Sequence, residues 1–581
     1  MHSLCKEGAN LKVAHFSYSD SYGAWGAAYE LHKSMVCCGI KSTFFVREKT
    51  RMDDTVIEIK YKDTLQERLI REIDCLYFNR NRVDSGINVF YSGLSGLEWD
   101  DQIEKMLNEY DVFHLHWISD FLSTDNIRSM LRMDKKVVWT LHDFYPFTGG
   151  CHYPEICEGY KAQCLKCWQL KYNPFDVAKS ILEDKKSSYG NKIHVITASN
   201  WLKKIVKNSA VFQDAFCSVA PIGIDVSVFQ ILDKREQKQK FGFASDTKVI
   251  LIGAQALQVN VKGYGYIEKI IEILLKDAYC NRLCKCGKLK LAIFGNSSGF
   301  KEIGKIECID FGFIEDREQL CGLYNAADVF VFPSIQETFG MTAAEAMACG
   351  TPVAAFDRCA MQEVIVDGVN GFKVDFEDCE AMACKIISIL KRNFIDVHLC
   401  RKRIVDFYSL EAERDAVLSI YDRVAPKEER TDFAQTQNEG MIQFRNQCIY
   451  EIVTDTAVGQ NECLKSDALL DAYNPFFVSP ERKIKELIGK RALSVDEAVS
   501  IYGAGEIGKQ TLQALKKRGI AVKEFFDSDN LKWGDKIEGY IIKGITRKTN
   551  ENQKIIIASM AYLEIEKFLQ ELGYIKDKDF Y

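Results

Sequence analysis

Short apolar runs rich in β-branched and aromatic residues alternate with helical text along most of the chain, and this alternation restricts the fold more than any other feature. LKVAHFSYS (11–19) reads as a strand, GAAYELHKSMVCCG (26–39) as a helix ending at Gly39, and KSTFFVRE (41–48) as the next strand. DVFHLHW (111–117), KKVVWTLHD (135–143) and NKIHVITAS (191–199) continue the series. A second series starts near 217 with CSVAPIGI and runs through KVILIGAQ (248–255), LKLAIFGN (289–296), DVFVFPS (328–334) and TPVAAFD (351–357). Strands that alternate with helices build parallel sheets covered on both faces. Two such series predict an α/β chain with two Rossmann-like domains facing each other across a cleft. The polar stretch YDRVAPKEERTDFAQTQNEG (421–440) marks a boundary, and a smaller α/β unit follows at about 441–581.

The chain has 581 residues, enough for about three to five domains of roughly 100–200 residues each. Its net charge of −6 supplies no global basic field, so no nucleic-acid partner is expected. The 21 cysteines are scattered, many of them inside apolar runs (Cys37, Cys38, Cys349), where a free thiol packs as a small hydrophobe. MHSLCKEGANLKVAHF lacks the apolar core of a secretory signal, and no stretch reaches the roughly 18 apolar residues that span a bilayer. The expectation is a reduced, cytoplasmic protein. One segment, LQERLIREIDCLYFNRNR (65–82), mixes an apolar stripe with arginines. It suits either packing on the first domain or peripheral contact with an anionic membrane face.

The chemistry concentrates in FPSIQETFGMTAAEAMACGTPVAAFD, where seven residues separate Glu337 from Glu345. TFGM reads as a loop opening a helix that stops at Gly350, ahead of Pro352. The amides from Phe339 through Gly340 and Met341 to Thr342 then have no intrahelical acceptor, and such a helix end suits a phosphate or a sugar hydroxyl. Helical side chains lean toward the N-terminus, so Glu345 is placed to reach a ribose hydroxyl of the same ligand.

ADVFVFPSIQETFGMTAAEAMACGTPVAAF followed by EVIVDGVNGF resembles the donor-binding half of the retaining GT-B glycosyltransferases, family 4 (glycosyl transferases group 1). The similarity extends to SVAPIGIDVSVF (218–229), VKGYGYIEKI (261–270) and FGFIEDREQLCGLYNAADVF (311–330), in the family's order. The resemblance implies a GT-B fold, with a nucleotide-diphospho-sugar in the second domain and an acceptor in the first. It implies no cofactor for catalysis, the leaving diphosphate being held by basic side chains and helix ends. Lys262 matches the family's diphosphate lysine, His142 its active-site histidine, and Glu337 a sugar-hydroxyl binder near the anomeric centre. Gly23 and Gly26 match its first glycine loop near the donor phosphates. Asp143 is expected to orient the acceptor, and His114 and His116, on one face of a strand, are further acceptor-side candidates. The pattern departs at Gly253-Ala254, where the family carries an arginine, and at Cys359-Ala360, where it carries two glycines before the glutamate, here Glu363.

Next to His142 stand Cys151, Cys157, Cys164 and Cys167, spaced C-x5-C-x6-C-x2-C. Four thiols within 17 residues suit a tetrahedral structural zinc, with His152 as a substitute ligand. Reduced unliganded thiols and disulfides are the alternatives that the spacing leaves open. A similar run occurs in the exopolysaccharide, colanic-acid-type branch of the family. Cys280, Cys284 and Cys286 read as part of a variable insertion. In the last unit, AVSIYGAGEIGKQTLQALKKRGIAVKEFFDSD (498–529) places Gly503, Gly505 and Gly508 after a strand, with Asp527 24 residues beyond Gly503. It is either a nucleotide site or a degenerate structural module.

The reading is therefore a retaining transferase that moves a sugar from a nucleotide-sugar to a saccharide or lipid-linked saccharide of a surface polysaccharide. Its domains are 1–216 with a crossing helix at 407–425, 217–406, a linker at 426–440, and an accessory Rossmann-like domain at 441–581. A nucleotide-sugar 2-epimerase on the same architecture and a non-catalytic nucleotide-sugar-binding scaffold are the alternatives.

Overall fold

A computed structural model of the chain describes residues 11–21, 23–59, 101–170, 177–257, 260–296, 302–303, 305–392, 395–424, 484, 487–488, 492–494, 498–504, 506–527, 532–545, 554–558, 562–575 and 578–581. The basic and apolar stripe at 65–82 lies outside these residues, as does Gly505. The described residues divide into two units, one ending at 424 and one beginning at 484.

The first unit holds two sheets. β1 (Lys12–Ser19), β2 (Lys41–Glu48), β3 (Val56–Glu58), β4 (Val112–Leu115), β5 (Lys136–Leu141), β6 (His194–Thr197) and β7 (Cys217–Val219) lie in the order β3-β2-β1-β4-β5-β6-β7. Every pair in it is parallel. A parallel pair needs a crossover, and the helix α1 (Ala24–Cys37) supplies the one between β1 and β2. β1 and β4 are buried along almost their whole length, as strands covered on both faces must be.

The second sheet repeats the plan. β8 (Lys248–Ala256), β9 (Leu289–Asn296), β10 (Glu302–Ile303), β11 (Ile306–Asp310), β12 (Val329–Phe332), β13 (Val353–Phe356) and β14 (Gly371–Val374) take the order β10-β11-β9-β8-β12-β13-β14. Only the β10–β11 edge pair is antiparallel among them. Val249 to Ile252, Leu291 to Ile293 and Val329 to Val331 form its buried centre, each large aliphatic contributing about 1.5–3 kcal/mol by leaving water. The helices that matter below are α2 (Asn200–Lys207), α3 (Arg317–Ala326) and α4 (Met341–Ala348).

A further helix, α5 (Leu410–Arg423), follows the second sheet in sequence but packs on the first. Its Val417, Ile420 and Tyr421 share one core with Val13, Val112, Val138 and Ile196, and the Lys136 ammonium donates to the Tyr421 carbonyl at 2.8 Å. No helix among the described residues is long and apolar enough to cross a membrane.

The second unit is a five-stranded sheet with the order β17-β18-β16-β15-β19, built from β15 (Val499–Tyr502), β16 (Val522–Phe526), β17 (Lys536–Ile537), β18 (Tyr540–Lys543) and β19 (Ile555–Ile557). The helix α6 (Glu506–Lys517) joins β15 to β16.

Candidate active site

In a doubly wound sheet the crevice for a ligand opens beyond the carboxyl ends of the strands where the strand order reverses. In the second sheet that point lies between β8 and β12, and the loops leaving these two strands carry Lys262 and Glu337. The structure joins the two side chains directly. The Lys262 ammonium donates to Glu337 Oε1, to which the Ser334 hydroxyl also donates at 3.2 Å. The Ser334 hydroxyl lies 2.9 Å from the Val261 carbonyl, which accepts from the Ile335 amide at 2.7 Å. These bonds knit the two loops together. Gly263 makes the fit possible: its φ is +69°, and a Cβ there would sit 1.8 Å from the Pro333 carbonyl oxygen. Burial lowers the Lys262 pKa, but the Glu337 charge outweighs it and the net shift is upward. Lys262 is therefore a fixed cation at neutral pH.

Four residues beyond Glu337, α4 begins. Most helices here start with an Asp or Ser whose side chain takes up the first amides, as Asp316 does for α3 and Ser199 for α2. α4 starts instead on Gly340, with φ +92° and no side-chain cap. The amides of Phe339, Gly340, Met341 and Thr342 have no acceptor among the described residues. The result is an open, partly positive helix end beside the Lys262–Glu337 pair. Glu345, one turn on, is buried, and Tyr324 of α3 donates its hydroxyl to Oε2 at 2.9 Å. Burial raises the Glu345 carboxyl, against the Tyr324 hydrogen bond and the Arg317 charge.

His142, directly after β5, meets this loop from the first sheet: its carbonyl accepts from the Thr338 hydroxyl at 2.9 Å. Behind it runs a line of histidines. His142 Nε2 is 3.2 Å from His116 Nδ1, and His116 Nε2 is 2.9 Å from His15 Nδ1. The register explains the line, because β1 and β4 pair His15 with His114, and His116 follows on the same face. His15 Nε2 is buried without a partner. A buried N–H without an acceptor is rarer than an unused lone pair. The preferred sense therefore runs from His15 through His116 to His142, which keeps its own proton on Nδ1. Burial lowers the His142 imidazole to about 4, against the Asp143 charge, so it is neutral at pH 7.

His114 and His116 thus lie inside the first domain rather than on its acceptor side, at 0% and 2% exposure. His114 spends both ring nitrogens, on the Tyr421 hydroxyl and on Thr140, each at 2.7 Å. It has none left for a metal, although its ring lies against those of His15 and His116. Asp143, expected to orient an acceptor, is instead a buried hub. Its Oδ1 accepts from the Tyr145 amide at 2.9 Å, and its Oδ2 meets Trp117 Nε1 and His152 Nδ1 at 2.5 and 2.6 Å. That bond also commits His152, which is absent from the lining of the cysteine cavity. Glu363 reaches across to the first domain and accepts from the Asn200 and Trp201 amides at 3.0 and 2.7 Å, a carboxylate at the amino end of α2.

Gly23 is the N-cap of α1 with φ +64°, and a Cβ on Gly26 would lie 2.6 Å from the Ser21 carbonyl oxygen, so this βα turn admits no side chain. At the departures from the family pattern, a Cβ on Gly253 would run into the Phe294 ring, and Ala254 is buried. Among the described residues, the cation paired with Glu337 is Lys262. All four of Cys151, Cys157, Cys164 and Cys167 are free thiols lining one cavity. Sequence reasoning missed Thr338, Tyr324, Ser334 and His15. Each bonds a partner on another strand, helix or loop, so local spacing does not signal that contact.

In the second unit, Gly503 follows β15 with φ +116°, and a Cβ on Gly508 would lie 2.0 Å from the Gly503 carbonyl oxygen, the close helix–strand approach of a dinucleotide loop. Asp527, the acidic residue beyond the glycine loop, accepts from the Ala504 amide of that loop at 2.8 Å and pairs with Lys532 at 3.3 Å.

Residues 233–404 match the family model described as glycosyl transferases group 1. The chain is 27% identical over 213 residues to D-inositol 3-phosphate glycosyltransferase of Mycolicibacterium smegmatis, covering 35% of this chain and 46% of that protein. It is 25% identical over 370 residues to an Escherichia coli K12 protein provisionally named a colanic acid biosynthesis glycosyl transferase, covering 59% and 82% of the two chains. In fold it is similar to sucrose-phosphate synthase from Thermosynechococcus elongatus, with a TM-score of 0.50 and 16% identity over 71% of this chain and 98% of that one. The first unit thus has the two facing parallel-sheet domains of the GT-B architecture, and its second sheet domain carries the stretch similar to the glycosyl transferases group 1 model.

Proposed function

We propose that the chain is a retaining glycosyltransferase that moves a sugar from a nucleotide-diphospho-sugar to a saccharide or lipid-linked saccharide in surface polysaccharide synthesis. The observation that carries this reading is the meeting of Lys262, Glu337, the uncapped end of α4 and His142 through the single residue Thr338. The polysaccharide setting draws support from the similarity to the colanic acid relative.

The chemistry follows from the charges. Cleaving the anomeric bond leaves a diphosphate with growing negative charge, and a preorganised ammonium beside free amides is suited to stabilise it. Before the donor arrives, Lys262 is neutralised by Glu337. On binding, the ammonium turns to the diphosphate and Glu337 must find new donors, because an unpaired carboxylate in a half-buried site is costly. Hydroxyls of the transferred sugar are such donors, so one exchange of partners selects for both halves of the substrate. His142, neutral with a proton on Nδ1, acts as a hydrogen-bond donor toward the sugar rather than as a base. Glu345 takes the ribose, with Tyr324 holding one of its oxygens so that the other faces the ligand. With stereochemistry retained, the leaving phosphate receives the acceptor proton.

The test is calorimetric titration with UDP-, GDP- and ADP-sugars, followed by product analysis with saccharide acceptors. Micromolar binding of one donor and an axial or equatorial linkage matching that donor support the reading. Release of free epimerised sugar, or no binding of any donor, overturns it.

A further inference from the structure

We propose that Cys151, Cys157, Cys164 and Cys167 bind one zinc ion, which staples the 151–157 loop against the donor end of the second sheet. The four cysteines, which no pairing along one strand or helix would assemble, line a single cavity of about 20 Å³, room for one water-sized body. No carboxylate lines it, which excludes hard cations and favours a thiophilic metal. A trapped water is a poor occupant, since it needs two to four polar partners and the rest of the lining is largely apolar, with Pro154 and Trp168.

No three of the four sulfurs lie within 4.8 Å of one another, so binding draws them together around the ion, and two of them already accept backbone amides. The Gly149 amide donates to Cys164 Sγ at 3.3 Å and the Gly159 amide to Cys157 Sγ at 3.4 Å. Amide-to-sulfur bonds of this kind orient ligands and stabilise thiolate charge. The C-x2-C turn itself is left-handed at Cys164 and Lys166, with φ of +49° and +51°, a conformation uncommon for non-glycine residues. Beside the cavity, Lys185 is 1% exposed and gives its ammonium to the Tyr145 and Thr148 carbonyls. On binding, each thiol releases its proton to solvent as its sulfur–zinc bond of about 2.3 Å forms, with no change of oxidation state.

The staple has a consequence for the neighbouring site. Between Cys151 and Cys157 lie Tyr153, whose hydroxyl is near enough to feel the Lys262 and Glu337 charges, and Glu155, whose amide donates to Gln336 Oε1 at 3.0 Å. The ion thus holds the first domain's contribution to the donor pocket. The inference rests on the four-cysteine cavity and not on the proposed transfer reaction.

Elemental analysis of the full chain, purified without chelator, tests it. The expected result is about one zinc per chain, released when a mercurial titrates the thiols, and about one cobalt with a thiolate-to-metal charge-transfer band after exchange. The double variant Cys157→Ser, Cys164→Ser is expected to carry no zinc, while the exposed-cysteine variant Cys286→Ser keeps it. A folded wild-type chain with no metal, with iron in place of zinc, or with a disulfide among the four cysteines by mass spectrometry overturns the proposal, whether or not the double variant folds. Nucleotide-sugar titration of the same sample separates the two readings. Zinc without donor binding removes the transferase, and donor binding without zinc removes the staple.

Discussion

At the scale of single residues, the Lys262–Glu337 pair divides the two jobs of the donor site, and opposite substitutions separate them. Lys262→Ala removes the cation and leaves Glu337 unpaired. Donor affinity is expected to fall about 10–100-fold, the worth of a charged hydrogen bond of roughly 1.5–3 kcal/mol. Glu337→Gln frees the ammonium, so nucleoside diphosphate binding should hold or tighten while transfer slows. Equal losses in both variants, measured by calorimetry and turnover, would remove the exchange of partners. The histidine line makes a second prediction. His116 touches no ligand, yet its Nδ1 faces His142 Nε2, so it is a positioning residue. His116→Phe is expected to lower kcat about 10-fold or more, as misplacing a positioned group does, with the donor KM unchanged. His116→Asn, which can still donate to His142, is expected to restore part of the loss.

Among the elements, α5 carries an unusual group. Glu413 is 3% exposed and accepts from the Gly223 amide at 2.8 Å, with no cation paired to it among the described residues. Burial pushes its carboxyl up to about 8, against that hydrogen bond. Since the folded pKa exceeds the unfolded value, the acid form is favoured in the native state. Its contribution is complete below the ordinary carboxyl range and is lost as pH rises through about 8. Glu413→Gln keeps the acceptor and removes the titration. It is expected to raise Tm at pH 8 by about 3 °C or more and to leave it nearly unchanged at pH 5. An equal shift at both pH values would show that the carboxyl is not held neutral. The amino end of α2 gives a contrasting case, where the Glu363 carboxylate meets two free amides and joins the domains by a bond suited to its charge.

For the whole molecule, the buried histidines set an acid limit. Burial lowers His32 to about 4, His114 to about 3 and His142 to about 4. In the unfolded chain each binds a proton near pH 6.5. Their stabilising contribution is therefore present above pH 6.5 and is lost as pH falls toward 4, because unfolding takes up protons across that window. The Tm of the full chain is expected to fall steadily from pH 7 to pH 5, and replacing His32 by Asn should flatten the slope. A Tm independent of pH over this range would contradict the neutral cluster.

How much of this was legible beforehand depended on the range of the interaction concerned. The alternation of apolar runs with helical text was enough for the parallel sheets, since burial on both faces imposes a pattern on each strand separately. It was likewise enough for the uncapped α4, because a helix that opens on Gly340 with no Ser or Asp is a local fact. That Lys262 pairs with Glu337, that Asp143 turns inward to Trp117 and His152, and that His15 completes a line begun at His142 are decided by which strand ends adjoin. Strand order and register settle that, and they arise from the burial of whole sheets rather than from any window of sequence. The four cysteines show both cases: their spacing suggested a metal, and only the folded loop brought all four to one cavity with amides directed at sulfur.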